Sequence, residues 1–358
     1  MDYNYQNSSN SYGSEPDYYA MYTEKQIKTA RGVFSRLHFS LLLYLIISFV
    51  AVLVSEIALI LILGTEGAVN FLSKHTFMSW ILNFVPVYAV AFPIFFLAVR
   101  NMKTIPQKKR KMSFAEFFSL FLITEFLMNV GSMIGNIFVE FFSAIKGGNV
   151  VDRTDELIAS MPIWLTLAIV VIIGPAIEEL IFRKLMIDRL SRYGNAVAII
   201  VSSVSFGLFH GNFHQLFYAT LSGLVFGFIY AKTRNVLYSF AMHATVNFFG
   251  SVAVTPIFDK LDALTEGLAA IQSGVEVEMG EFFKNLMIVG SYSIIQYAII
   301  IAGAVMLYKF IKYRKYNFRD SWEYKLPRER TASIIVMNPG TLAYIIVSVL
   351  LCAYSIIM

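Results

Sequence analysis

Two stretches of this chain, Phe39–Leu63 and Leu342–Met358, carry one charged residue between them, Glu56. No other feature limits the possible folds as much. About 20 apolar residues are enough for a helix to cross a bilayer. Lipid offers no partner to backbone N–H and C=O groups, so such runs must satisfy themselves as helices. The alternation in segments of about ten residues that marks a membrane barrel is absent. Composition agrees, with 57% hydrophobic and 15% charged residues in 358, against about 45–50% and about 25% in a soluble domain. The fold class is therefore all-α, a polytopic transmembrane helical bundle.

Spans are predicted near residues 39–63, 77–99, 115–141, 161–182, 195–213, 215–231, 236–255, 284–308 and 340–358, which sets the count at about 8–9. Five regions follow. Residues 1–38 are a disordered, tyrosine-rich tail leading into an amphipathic stretch, Lys25–His38. Residues 39–145 hold the N-terminal transmembrane helices and 160–255 a core that carries ionisable groups at bilayer depth. Residues 256–283 form an acidic outer loop with a short helix, and 284–358 hold the C-terminal helices. Lys and Arg concentrate on the cytoplasmic side of a membrane. With the N-terminus inside, 24 of the 29 lie inside, leaving Lys74, Lys146, Arg153, Lys260 and Lys284 outside. The cluster Lys108, Lys109, Arg110 and Lys111 reads as a topology signal. This bias and the lipid bilayer account for the net charge of +5, so no nucleic-acid partner is needed. The expected location is the bacterial cytoplasmic membrane, as a multi-pass protein. With one cysteine, Cys352, no intramolecular disulfide can form.

A charge at bilayer depth is costly, about 3 kcal/mol on insertion scales, so each one is a candidate for function. The fourth span ends Gly174-Pro175-Ala176-Ile177-Glu178-Glu179-Leu180-Ile181-Phe182-Arg183; the fifth holds Phe206-Gly207-Leu208-Phe209-His210, and the seventh His243-Ala244-Thr245-Val246-Asn247. Glu179 and Arg183 stand four apart on a helix and can pair, while Glu178 points about 100° away and stays free to act. His243 and Asn247 are also four apart, so both face one point. At about 1.5 Å of rise per residue, Glu178, His210, His243 and Asn247 all fall within the hydrocarbon layer and can meet. The sequence has no H-E-x-x-H, no G-x-S-G and no G-x-G-D, which disfavours zinc, serine and aspartyl intramembrane proteases of the known kinds.

The three motifs in this order resemble the CPBP family of CAAX proteases and bacteriocin-processing enzymes, also called Abi, which includes the type II CAAX prenyl endopeptidase. The resemblance covers residues 160–255. It implies an intramembrane endopeptidase acting on a membrane-tethered peptide or protein. By this likeness Glu178 is the catalytic glutamate, with His210 as its partner in activating water. His243 and Asn247 bind the developing oxyanion or a metal, and Glu179 and Arg183 are supporting. The family is catalogued as metalloproteases. Glu178, His210 and His243 make a plausible zinc set, and the same residues equally suit a metal-free mechanism.

Plainer roles stand beside these. Glu178 and Glu179 could be an interfacial acidic pair. His214, four after His210, reads as an interfacial residue. Glu125 and Asn129 read as helix packing, and Glu56 as a buried hydrogen-bonder. A transporter relaying protons, or a non-catalytic immunity or scaffold protein on the same bundle, is the alternative function.

Overall fold

The computed structural model describes residues 24–105, 107–148, 161–314 and 326–357. The tail expected over residues 1–22 and Arg153 lie outside them. No strand occurs among the described residues. Among the described residues, eight helices are long and apolar enough to cross a membrane: α1 Glu24–Lys74, α2 Thr76–Val99, α3 Phe114–Lys146, α4 Ile163–Tyr193, α6 Phe213–Thr233, α7 Val236–Gln272, α8 Met279–Lys312 and α10 Pro339–Ile357. Two others are shorter, α5 Asn195–Phe209 and α9 Thr331–Val336.

Three expectations need adjusting. The amphipathic stretch and the first span fuse into one helix as far as Leu63, where Gly64 at φ +71° breaks the helical path before a short last piece that ends at Lys74. Its buried stripe, Ile27, Ala30, Phe34, Leu37, Leu41 and Tyr44, recurs every three or four residues, as a core-facing helix requires. The fifth span ends at Phe209 rather than 213. Its 15 residues extend about 22 Å, and Gly211 at φ +64° then turns the chain into α6. The acidic loop over 256–283 is largely helix, since α7 runs on through Thr255–Gln272 and only the segment from Ser273 to Glu278 connects it to α8.

Polar side chains set several helix ends. Ser113 accepts a hydrogen bond from Glu116 N at 3.2 Å, Asn212 from Gln215 N at 2.8 Å, and Asn235 from Leu237 N at 3.2 Å. Each satisfies a donor that the first helical turn leaves open. Between helices, small residues allow the close approach that drives packing in lipid. A Cβ on Gly207 of α5 would lie 2.0 Å from Thr220 Oγ1 and 2.5 Å from the Leu216 carbonyl of α6. One on Gly303 of α8 would lie 2.1 Å from the Leu122 carbonyl of α3.

Contacts at the two ends of the bundle agree with the charge pattern. At one end Arg36 Nη2 donates to Ala98 O (2.7 Å), Arg189 Nε to Val99 O (2.9 Å) and Tyr230 Oη to Asp188 (2.7 Å). There too Lys232 pairs with Glu116, and Arg330 with Glu24. At the other end Lys146 Nζ donates to the Ile356 and Ile357 carbonyls.

A buried polar cluster joins the first and last helices to α5. His38 Nε2 is hydrogen-bonded to Ser205 Oγ at 3.0 Å, and its Nδ1 faces Thr341 Oγ1 at 2.9 Å. Tyr344 Oη donates to the Ser205 carbonyl at 2.7 Å.

Candidate active site

The site gathers on the second half of α4. Two π-helical segments, Leu167–Ile173 and Glu179–Ile187, flank a short α-helical turn, Gly174–Glu178. Wider turns of this kind re-aim side chains and free carbonyls, and they are frequent at functional sites. Here the Gly174 N–H bonds Ile169 O, one residue beyond the α-helical register. Pro175 has no N–H. The Val170 carbonyl is therefore left without a donor from either residue.

Asn247 fills that gap. Its Nδ2 donates to Val170 O at 2.8 Å, linking α7 to α4. The spacing argument had Asn247 and His243 converging on one reacting atom. In the folded chain the amide turns to the backbone that Pro175 leaves open.

His243 is 4% exposed and lies between both glutamates. Its Nδ1 is 3.2 Å from Glu179 Oε1, and its Nε2 is 3.6 Å from Glu178 Oε2. The helical-wheel expectation that Glu178 points well away from Glu179 is thus modified, because both carboxylates reach one imidazole from its two sides. Their surroundings differ. The Glu179 side chain is fully buried and its Oε2 lies 3.2 Å from Arg183 Nε, whereas the Glu178 side chain keeps 23% of its surface open. Two carboxylates face one guanidinium here.

Arg183 is buried with its partner, and its Nη1 donates to Ser202 Oγ at 3.2 Å. The guanidinium carbon is 4.8 Å from the centre of the Phe206 ring, 5.6 Å from Phe226 and 6.0 Å from Phe182. Aromatic faces stabilise a cation taken out of water. Phe206 is also edge-on to His210 at 4.9 Å and to His243 at 5.6 Å. The phenylalanine of F-x-x-x-H is thus the apolar hub of the site. Phe226 stacks on His243 at 4.9 Å and an interplanar angle of 25°. Its sequence context gives no sign of this role.

His210 closes α5. Its Nδ1 is 2.8 Å from the Phe206 carbonyl, so that nitrogen donates and Nε2 keeps its lone pair. Two tyrosines that sequence reasoning did not single out pack nearby: the Tyr88 hydroxyl of α2 would lie 3.2 Å from a Cβ on Gly174, and the Tyr44 ring of α1 is 5.2 Å from Phe209.

The remaining candidates lie apart. Asn129 Nδ2 donates to the Glu125 carbonyl within α3, Glu56 is on the exposed face of α1, and His214 is in the first turn of α6. Among the described residues, no three His, Cys, Asp or Glu side chains are gathered so as to hold a metal ion. The zinc set Glu178, His210 and His243 is not assembled in this geometry.

Residues 160–249 match a family model described as Rce1-like, type II CAAX prenyl endopeptidase Rce1-like. The matched segment contains every residue of the three motifs and ends two residues after Asn247. Among curated proteins, the chain is similar to "Putative membrane peptidase YdiL" of Bacillus subtilis (strain 168), at 29% identity over 122 residues, which is 34% of this chain and 49% of that protein. It is also similar to "UPF0177 protein YxdF" of Lactococcus lactis subsp. lactis (strain IL1403), at 34% identity over 101 residues, 28% of this chain and 55% of that protein. The chain thus spans about half the length of the curated relatives it matches. No solved structure matches it.

Proposed function

We propose that this chain is an intramembrane endopeptidase that hydrolyses a membrane-tethered peptide with a water activated at Glu178. The observation that carries the reading is the unequal treatment of two adjacent carboxylates. Glu179 is sealed against Arg183 and His243, while Glu178 stays partly open beside the same imidazole. Environments that differ this much separate the roles of paired acids. The description of the matching family and the peptidase name of the Bacillus relative support hydrolysis of a peptide bond.

In this mechanism Glu178 accepts a proton from water as the water oxygen bonds to the scissile carbonyl carbon. The His210 Nε2 lone pair accepts the second water O–H and aims the oxygen. His243, fixed by Glu179, presents Nε2 towards Glu178 and shares its proton. Collapse of the tetrahedral species breaks the C–N bond, and the proton held at Glu178 leaves with the amine. No step is routed through a metal.

The substrate class is a peptide held in the bilayer by a lipid or a span, and a C-terminal prenylated tail is the form that the family's description suggests. The location is a bacterial cytoplasmic membrane with the N-terminus inside, supported by the Lys and Arg distribution and by two bacterial relatives. The test is cleavage of membrane-tethered peptides by purified protein. Glu178→Gln and His210→Ala should abolish it while the protein stays folded. Proton-coupled flux in liposomes without a cleaved product would instead establish the transporter alternative.

A further inference from the structure

The basic end of the bundle holds two adjoining cavities, well away from Glu178, that the mechanism above does not use. The first, about 490 Å³, runs along α1 from Gly32 to Leu43, with Phe39 and Ala98 in its walls. The second, about 260 Å³, is lined by Arg36, Lys103 and Arg192. Gly32 and Arg36 line both. An apolar trough therefore meets a cluster of cations at one end. No Asp or Glu among the described residues lines either part.

The cations are fixed by neutral groups. Arg36 donates through Nε and Nη2 to the Ala98 carbonyl at 3.2 Å and 2.7 Å. Arg189 binds the next carbonyl, Val99 O, at 2.9 Å. These contacts hold guanidinium groups in place without cancelling their charge. Asp188, the residue before Arg189, is engaged by Tyr230 at 2.7 Å and Lys184 at 2.8 Å. Arg192 is 8% exposed, so water screens it little.

Gly32 is an independent sign of a ligand. Glycine inside a helix costs stability relative to alanine, and it is usually kept for a positive φ or a close neighbour. Gly32 has neither: its φ is not positive, and a Cβ there would meet nothing within 4 Å. Its missing side chain leaves open space where the two cavities join. From there the trough has the reach of an acyl chain. Phe39, Leu43 and Ile46 are 46%, 39% and 51% exposed and share one face of α1. From Arg36 to Ile46 the helix rises about 15 Å, half of a hydrocarbon layer about 30 Å thick.

We propose that the two cavities are a binding site for an anionic membrane phospholipid. Its phosphate sits among Arg36, Lys103 and Arg192, and one acyl chain lies along Phe39, Leu43 and Ile46. Arginine presents a fork of N–H donors that fits a phosphate. Basic pockets between transmembrane helices take anionic headgroups in this way. The trough selects a lipid over a soluble anion. A zwitterionic lipid would bring its own ammonium into the cation cluster and is disfavoured by that repulsion.

The experiment uses the full chain in neutral-detergent micelles, with phosphatidylglycerol, phosphatidylcholine and inorganic phosphate as probes. Native mass spectrometry counts bound lipid, and the thermal unfolding midpoint reads stabilisation by binding. One phosphatidylglycerol should be held about 10-fold more tightly than phosphatidylcholine. Arg36→Gln removes a phosphate partner and Gly32→Phe fills the junction, and each should erase about that preference. Lys309→Gln, which removes a cation of α8 at the same end, should leave it unchanged. Unfolding without added lipid checks the fold of every variant. Gly32→Phe carries the test if loss of the Ala98 bond unfolds Arg36→Gln. Equal binding of the two lipids by the wild type overturns the inference. So does an unchanged preference in folded Gly32→Phe or folded Arg36→Gln, or an equal loss in Lys309→Gln. Displacement of phosphatidylglycerol by inorganic phosphate also overturns it, since the site would then hold a soluble anion.

Discussion

His243 Nδ1 lies 3.2 Å from Glu179 Oε1, a buried contact that joins the third motif to the first. A carboxylate on one ring nitrogen fixes the tautomer and leaves the other nitrogen facing Glu178. The same carboxylate is bound to Arg183 at 3.2 Å, so Glu179 both anchors an imidazole and neutralises a guanidinium. Stability and rate can be separated on that basis.

Arg183→Ala leaves Glu179 a buried carboxylate without its cation. Breaking such a pair costs about 3–5 kcal/mol. A large fall in the thermal unfolding midpoint in micelles is the expected result.

Replacing both partners, Glu179→Leu with Arg183→Met, removes the charges together and should restore much of that stability. Activity should not return. Without Glu179 the His243 ring loses its anchor, and loss of such an orienting carboxylate lowers rates by about 10²–10⁴. A double variant as active as wild type would assign Glu179 a structural role only.

Asn247→Leu should cost stability as well as rate, since it strands the Val170 carbonyl that Pro175 leaves open. An unpaired buried acceptor costs about 1–3 kcal/mol. Thermal unfolding without substrate reads this directly, and an unchanged midpoint would show that water replaces the amide.

Metal removal is expected to leave cleavage intact, because the three candidate donors are not gathered to one point. Treatment with a membrane-permeant chelator and elemental analysis of the purified protein provide the check. Loss of activity that added zinc restores would reinstate the zinc form.

Gly207→Ala should loosen the seat of α5 on α6. The added methyl meets the Leu216 carbonyl, a backbone atom that cannot swing away. Overpacking of this kind costs about 1–3 kcal/mol. Because Gly207 precedes His210 by one turn, cleavage should fall with stability.

The spans were readable because apolar length is a one-dimensional property, and the motifs because charge at bilayer depth stands out in any single sequence. Glu178, Glu179, Arg183 and His243 lie together in the fold, while Asn247 turns to the Val170 carbonyl. What stayed hidden depends on local geometry. The π segments around Gly174–Glu178 change the angle between Glu178 and Glu179, which no ideal helical wheel reproduces. They also create the open carbonyl that takes Asn247. Phe206 and Phe226 enclose Arg183, yet aromatic residues are so frequent in these spans that neither stands out.

The His38–Ser205–Tyr344 cluster bears on how the protein is made. Ribosomes deliver the chain from the N-terminus, so the helix carrying His210 enters the membrane well before the residues that clasp it from the C-terminal side. Until Thr341 and Tyr344 emerge, Ser205 has only His38 to hold it, and the seat of α5 is incomplete. The seat of the helix that carries His210 is therefore complete only once α10 has docked against α1 and α5.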